Sequence, residues 1–265
     1  MQTYRVQAYN TAHDSENKIH DDAVARRFGF TGALVPGVDV YAYMMHLPVA
    51  RWGRAFLERG EAECRFTSPV YDGQMVEVSG REDGDGIAIE VASGGKSCAA
   101  GVARMPAAAP AAPELAGFPR ASLPEPERRP PADAKSLAAG AALGTAELEA
   151  SREFVEGYLR AVRETDALYA REGLVHPGTV LRMCNFGLLR NVKLGPWIHV
   201  GSKVQNFGAA RAGETLAARP RVLGNYERKG HLFVELDVLV LGDSERAVAR
   251  VQHTAIYRPR QAAVA

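Results

Sequence analysis

The stretch Ala33-Leu34-Val35-Pro36-Gly37-Val38-Asp39-Val40 returns about 140 residues later as Gly173-Leu174-Val175-His176-Pro177-Gly178-Thr179-Val180. Self-similarity at so long a distance indicates a duplicated domain, because the units of solenoids and propellers are only about 20 to 50 residues long. The spacing beyond the repeat also recurs, since a turn ending in glycine follows 36 residues after Gly37 and 35 residues after Gly178. We therefore expect two tandem copies of one scaffold.

Each of these turns is followed by stretches in which apolar and polar residues alternate. This alternation is typical of strands in an antiparallel sheet. The predicted strands are residues 74–78, 87–91 and 97–104 in the first copy, and 214–223, 232–238 and 247–257 in the second. The shared order predicts a strand, a helix and a meander of about four strands in each copy.

Proline marks the boundary between the two copies. Eight prolines and many alanines fall between Met105 and Lys135. Because proline removes a backbone donor and restricts its neighbours, this composition predicts a linker that crosses the surface. We expect a first domain at residues 1–105, a Pro/Ala-rich linker at 106–135 and a second domain at 136–265.

The repeated stretch opens a helix that is apolar on nearly every face. This holds for residues 38–48 and for residues 179–192. A helix of this kind is buried on all sides. A buried helix wrapped by an antiparallel meander is the hot-dog arrangement, so the duplication predicts an α+β double hot-dog.

Both helices are predicted to start at a Pro-Gly pair. Glycine lets another group approach the backbone closely, and the unpaired N–H groups of a helix start favour a carbonyl oxygen or an anion. This geometry suits the polarisation of a thioester carbonyl. Val35 and Gly37 are therefore candidate substrate-binding residues, and so is His176, which occupies the position of Val35 in the second copy.

The composition argues against several classes of partner. A net charge of +1 gives no electrostatic basis for binding nucleic acid or an acidic membrane surface. No run approaches the roughly 18 apolar residues of a membrane helix, and the first residues lack a secretory hydrophobic segment. Three widely spaced cysteines predict neither a disulfide framework nor a zinc site. We expect a reduced, cytoplasmic protein without a metal ion or cofactor.

A polar cluster precedes the repeat in the first copy. Residues 15–22 read Ser-x-Asn-Lys-Ile-His-x-Asp and are followed by Val35-Pro36-Gly37 and, beyond the helix, by Arg65-Phe66-x-x-Pro69-Val70-x-x-Gly73. This order resembles the MaoC-like double hot-dog family, which includes (R)-specific enoyl-CoA hydratases and related acyl dehydratases. The resemblance covers most of the chain apart from the linker and is sharpest over residues 13–45. It implies a substrate that is an acyl-CoA or acyl-carrier-protein thioester.

The resemblance also implies roles for individual residues. In the family, an aspartate and a histidine hold the water that adds across the enoyl thioester. His20 matches the histidine and Asn17 the asparagine that orients water or the imidazole, but Ser15 stands in place of the aspartate. A serine hydroxyl is not a base at neutral pH, so hydration needs either His20 alone or a carboxylate from elsewhere. Asp39 lies in the first turn of the central helix, whereas extended backbone would turn Asp14 to the opposite side.

Three functions are compatible with these residues. The first is a hydro-lyase that hydrates an enoyl thioester or dehydrates a 3-hydroxyacyl thioester. The second is an acyl-CoA thioesterase that uses Asp39 or a water positioned by His20. The third is an acyl-thioester-binding protein that lost hydration chemistry together with the aspartate.

The two copies are expected to differ in their contribution to the site. The second copy is predicted to lack the polar segment, because Tyr158 is closer to Pro177 than Tyr9 is to Pro36. We therefore expect one site per chain, at the seam of the halves, and further association into a dimer of double hot-dogs. Three histidines in predicted strands or at a hairpin edge receive no role: His199, His231 and His253.

Overall fold

Alternating apolar residues give both copies the strands that their sequences predict. The computed structural model describes residues 2–12, 15 and 17–260. The strands of the described residues are β1 (Gln2–Gln7), β2 (Glu61–Phe66), β3 (Met75–Asp83), β4 (Gly86–Ser93), β5 (Lys96–Arg104), β6 (Ala146–Glu149), β7 (Ile198–Asn206), β8 (Thr215–Arg228), β9 (His231–Leu241) and β10 (Ala247–Arg258). Each predicted strand overlaps one of these, although β3 begins at Met75 and extends five residues beyond its predicted end.

All of these strands belong to one antiparallel sheet in the order β1-β3-β4-β5-β2-β7-β10-β9-β8-β6. The second half of this order mirrors the first, and the halves join where β2 pairs with β7, for example Cys64 opposite Ser202. The repeat is equally visible in single hydrogen bonds. Val35 N donates to the Val70 carbonyl at 2.8 Å, and Val175 N donates to the Ala210 carbonyl at 2.9 Å. The duplication and the double hot-dog fold are thus confirmed.

Six α-helices lie within the described part of the chain. They are α1 (Asp22–Arg27), α2 (Gly37–Trp52), α3 (Arg54–Arg59), α4 (Arg152–Ala161), α5 (Ala167–Glu172) and α6 (Pro177–Leu189). The central helices α2 and α6 pack against each other and against the inner face of the sheet. Their apolar residues Tyr41, Met44, Leu181 and Met183 are buried. Over residues 2–12, 15 and 17–260, no helix combines the length and apolar character needed to cross a membrane.

The proline-rich segment after β5 is packed along the second half of the sheet. It contains short 3-10 helices at Leu115–Gly117 and Pro126–Arg128. Phe118 is buried and packs with Leu239 and Leu241 of β9, in a cluster separate from the main core to which Val238 and Val240 belong. This contact explains why β9 is buried on both faces. The segment is therefore a cover as well as a connection.

The second copy forms helices where the first has the polar loop, but the shorter spacing on which the prediction rested does not reflect a deletion. Gly73 N donates to the Ala8 carbonyl, and Gly213 N donates to the Ala150 carbonyl, so Ala8 and Ala150 occupy equivalent positions. Counted from these residues, the segments that lead to the two central helices are nearly equal in length. The first copy forms a polar loop and α1 there, whereas the second forms α4 and α5. Tyr158, which anchored the sequence comparison, lies inside α4 and has no counterpart in the polar loop.

Candidate active site

Two cavities meet at the seam of the halves, beside the start of α2. One has a volume of about 280 Å³ and the other about 550 Å³. Both are lined by Asn17, His20, Pro36, Asn185 and Trp197. The polar loop of the first copy thus separates the two spaces, and the second copy supplies the facing wall.

His20 lies at this boundary, and its two ring nitrogens have different partners. Its Nδ1 lies 2.7 Å from the Leu34 carbonyl oxygen, so Nδ1 carries the proton and donates it. Burial lowers the pKa of His20 below its ordinary value, although the Leu34 hydrogen bond and the negative charge of Asp39 oppose this shift. The imidazole is therefore neutral near pH 7, with a lone pair on Nε2. This nitrogen can act as a general base.

Asn17 fastens the polar loop to the second copy. Its Nδ2 donates to the Trp197 carbonyl at 3.0 Å, while its Oδ1 accepts from Trp197 N at 3.2 Å. The same oxygen also accepts from Ile19 N at 3.3 Å, which caps the 3-10 helix Lys18–His20. Nδ2 lies 3.4 Å from His20 Nε2. The side chain thus holds the loop across the seam, and its second amide N–H donates a long hydrogen bond to the lone pair of the imidazole.

Ser15 lines the larger cavity, and its hydroxyl oxygen accepts a hydrogen bond from Asn17 N at 3.1 Å. This contact is a local turn of the kind that serine favours. The structure therefore brings three of the predicted residues together: Ser15, Asn17 and His20. Asp14 lies outside the described residues.

Asp39 is completely buried and does not line either cavity. Its Oδ1 accepts from Tyr158 Oη and from Arg182 Nη2, each at 3.0 Å, and its Oδ2 accepts from Thr11 Oγ1 at 2.5 Å. Arg182 and Tyr158 belong to the second copy, so this network ties the halves together. Both carboxylate oxygens are engaged, which leaves Asp39 a structural position beside the site.

The start of α2 is open toward the smaller cavity. Its N-cap residue is Pro36, which offers no side-chain acceptor. Gly37 N and Val38 N donate to no acceptor in the described part of the chain. Val35 and Gly37 line this cavity, and their contact with a substrate stays a prediction. The positive end of the helix dipole therefore faces a space that could hold a carbonyl oxygen.

The start of α6 is closed by the protein itself. His176 Nδ1 accepts from Gly178 N at 3.1 Å, and its Nε2 donates to Glu164 at 3.3 Å. Burial raises the pKa of Glu164, but hydrogen bonds from His176 and His46 outweigh it and keep the pKa well below its ordinary value. His176 lies outside both cavities, where its imidazole occupies the helix start that the first copy leaves open. Only one of the two equivalent sites is therefore accessible.

Three further polar residues line the smaller cavity. Asn185, Trp197 and His199 each carry a buried polar atom without a hydrogen-bond partner among the described residues: Oδ1, Nε1 and Nδ1, respectively. Sequence reasoning missed them because each reaches the site through long-range packing of the second copy. An unsatisfied buried polar atom is uncommon in native proteins and is often satisfied by a ligand or water.

No family model matches the chain, and no curated protein matches it in sequence. Solved structures match over almost the whole chain. A conserved hypothetical protein from Mycobacterium tuberculosis with a double hot-dog fold has a TM-score of 0.63, 15% identity, and coverage of 96% of this chain and 95% of that chain. A proposed MaoC domain dehydratase from Chloroflexus aurantiacus gives a TM-score of 0.62 at 12% identity, covering 98% and 95%. A proposed thioesterase from Novosphingobium aromaticivorans gives 0.53 at 12% identity, covering 97% and 95%. At these identities the likeness establishes the fold.

Proposed function

We propose that the protein is a hydro-lyase acting on an acyl thioester, hydrating a 2-enoyl group or dehydrating a 3-hydroxyacyl group. One observation carries this proposal: the uncapped start of α2 and the unprotonated Nε2 of neutral His20 border the same cavity. Hydration needs both elements, because it requires a base for water and stabilisation of the negative charge that develops on the carbonyl oxygen.

The proposed reaction uses His20 as base and then as acid. The thioester oxygen accepts hydrogen bonds from Gly37 N and Val38 N, which draws electrons from the double bond. Water attacks C3, its proton moves to His20 Nε2, and the electron pair moves onto the carbonyl oxygen as an enolate. The imidazolium then returns a proton to C2, and the enolate collapses to the 3-hydroxyacyl thioester. This sequence needs no carboxylate, which accommodates Ser15.

The shape of the site supports a thioester substrate with a short acyl group. The smaller cavity has apolar walls from both halves, including Phe66, Ile198 and Ile256, and its volume of about 280 Å³ limits the acyl chain. The larger cavity carries Arg182 and several amide and hydroxyl groups, which suit the polar arm of coenzyme A or of a carrier protein. Dehydratases and thioesterases among the structural neighbours share the fold that would hold such a substrate.

Thioester hydrolysis is the second candidate, because the same base and the same helix start could direct water at C1 instead of C3. The buried network around Asp39 disfavours the version in which its carboxylate is the nucleophile. The thioesterase proposal therefore also depends on His20.

A substrate panel tests the proposal. Short-chain 2-enoyl-CoA and 3-hydroxyacyl-CoA thioesters are offered to the protein, and enoyl absorbance and free thiol are followed in parallel. We expect a change in absorbance without thiol release. Thiol release would establish hydrolysis instead. No change in either signal would contradict both the hydro-lyase and the thioesterase proposal.

The variant His20→Ala should lower kcat about 10²-fold or more, since a general base contributes about 10²- to 10⁴-fold. The matched control His231→Ala removes an imidazole far from the site and should keep full activity.

Because burial lowers the pKa of His20, the base stays unprotonated below the ordinary histidine pKa of about 6.5. Activity should therefore hold on acidification through pH 6.5 and fall only at lower pH. An unaffected His20→Ala variant would refute the assignment.

A further inference from the structure

Three polar side chains form a hydrogen-bonded cluster on the inner face of the sheet. Ser202 of β7 lies opposite His253 of β10 in the strand register. The Ser202 hydroxyl is 2.9 Å from His199 Nε2 and 3.0 Å from His253 Nδ1. The two imidazoles stack with centroids 4.1 Å apart. All three residues are buried, and His199 is only 6% exposed.

The hydrogen bonds of this cluster restrict which ring nitrogens carry protons. Burial and the neighbouring His253 lower the pKa of His199 well below its ordinary value, and burial lowers the pKa of His253 to about 3. Both rings are therefore neutral, and each carries one N–H group. The single Ser202 proton can be donated to only one of them. When the Ser202 hydroxyl donates to one ring and accepts from the other, both rings carry the proton on Nε2 or both carry it on Nδ1.

The outer nitrogen of His199 faces the candidate site. His199 lines the smaller cavity, and its Nδ1 has no partner among the described residues. A Cβ atom added to Gly37 would lie 2.9 Å from this nitrogen, so the imidazole packs directly beside the first residue of α2. The positive end of that helix favours a lone pair there over an N–H group. The arrangement with both protons on Nε2 meets this preference, because it leaves Nδ1 of His199 unprotonated, at the cost of a buried His253 Nε2–H without a partner among the described residues.

We propose that His199 Nδ1 is the second acceptor of the site and holds the reacting water together with His20 Nε2. In this arrangement His199 Nε2 donates to Ser202, which donates to His253. Water has two hydrogens and needs two acceptors to be oriented, and no carboxylate is found among the described residues that line this cavity. The inference rests on the proposed hydration reaction and deepens it, since the second copy then supplies half of the water site.

Two variants of His199 separate an acceptor from a packing residue. Asparagine can place an oxygen acceptor near the position of Nδ1, whereas leucine fills the same space without one. We expect His199→Leu to lower kcat for 2-butenoyl-CoA hydration about 10²-fold with KM little changed, because misplaced water loses the reacting geometry. His199→Asn should recover at least part of this loss. Thermal unfolding of both variants reports whether each is folded.

The positions of the ring protons provide a readout that is independent of turnover. Nitrogen-15 NMR of the wild-type protein should show His199 and His253 both protonated on Nε2, and Ser202→Ala should remove this fixed preference. Protonation of His199 on Nδ1 would overturn the inference, and so would full activity of a folded His199→Leu variant. A wild-type protein that hydrates no enoyl thioester would overturn the proposed function and the inference together. An active wild type with an unaffected leucine variant overturns the inference alone.

Discussion

At the scale of single residues, a carboxylate can take part in the chemistry only if other side chains of the protein do not already engage it. Asp39 looks available in the sequence because it lies in the first turn of the central helix. In the structure its carboxylate is buried against Arg182, whose side chain is 19% exposed. Removing one partner of such a pair leaves the other charge uncompensated, which costs more than the intact pair contributes. We therefore expect Asp39 to contribute to the stability of the fold and not to the chemical step.

Asp39→Asn should therefore destabilise the fold by about 3 kcal/mol, the low end for a broken buried ion pair, because Arg182 keeps some contact with solvent. Urea unfolding measures this change. The control Glu77→Gln removes the exposed pair with Arg5 and should have little effect. Turnover per folded molecule of Asp39→Asn should stay near the wild-type value. A stable variant that had lost thioester hydrolysis would instead identify Asp39 as the nucleophile.

The sequence identified the residues of the site that belong to one local motif. Ser15, Asn17, His20 and Gly37 lie within a short stretch, so order and spacing were sufficient to place them together. His199 was missed because its approach to Gly37 depends on the register of β7, which is shifted by a bulge in its pairing with β10. No periodicity in the sequence encodes that contact.

At the scale of elements, the starts of the two central helices were predicted to within two residues, whereas α2 continues through Pro48 to Trp52 and α6 ends at Leu189, three residues before the predicted end. Their apolar faces leave no solvent side, and the Pro-Gly pairs mark both starts. α4 was missed because the comparison of the copies assumed a deletion. The packing of the proline-rich segment was also missed, since composition alone predicts only that such a segment lacks regular structure. The buried ring of Phe118 holds this segment against β8 and β9, so that the segment covers part of the sheet.

The packing of the proline-rich segment against β9 should contribute to stability at a position far from the site. Phe118→Ala removes a buried ring that also lies beneath the guanidinium groups of Arg221 and Arg250, at 5.1 and 5.5 Å. We expect a loss of about 3 kcal/mol in the free energy of unfolding, measured with urea, because truncation of a buried aromatic ring leaves a cavity. Leu223→Ala, at an exposed position, is the control. An unchanged free energy of unfolding for Phe118→Ala would mean that the segment is only a tether.

At the scale of the whole molecule, buried neutral imidazoles make folding sensitive to acid. His199 and His253 have lowered pKa values in the folded state, whereas an unfolded histidine titrates near 6.5. Below about pH 6.5 the unfolded chain therefore binds protons that the folded protein excludes. Stability is fully present above that pH and is lost as the pH falls toward the folded pKa, which is about 3 for His253.

Urea unfolding between about pH 8 and pH 5 should reveal this dependence. Each excluded proton contributes about 1.4 kcal/mol per pH unit below pH 6.5. The variant His253→Gln cannot take up that proton when it unfolds, so its stability should decline less steeply by about this amount. Equal slopes for the variant and the wild type would show that His253 is not buried in its neutral form.

The pairing of β2 with β7 has a consequence for solubility. Two separate five-stranded sheets would present four open edges, and each open edge is a template for pairing with another chain. The continuous sheet of the described residues keeps two, at β1 and β6, which are only six and four residues long. Short edges offer little surface for aggregation. The seam that encloses the cavity therefore also hides two further edges, β2 and the nine-residue β7, from neighbouring molecules.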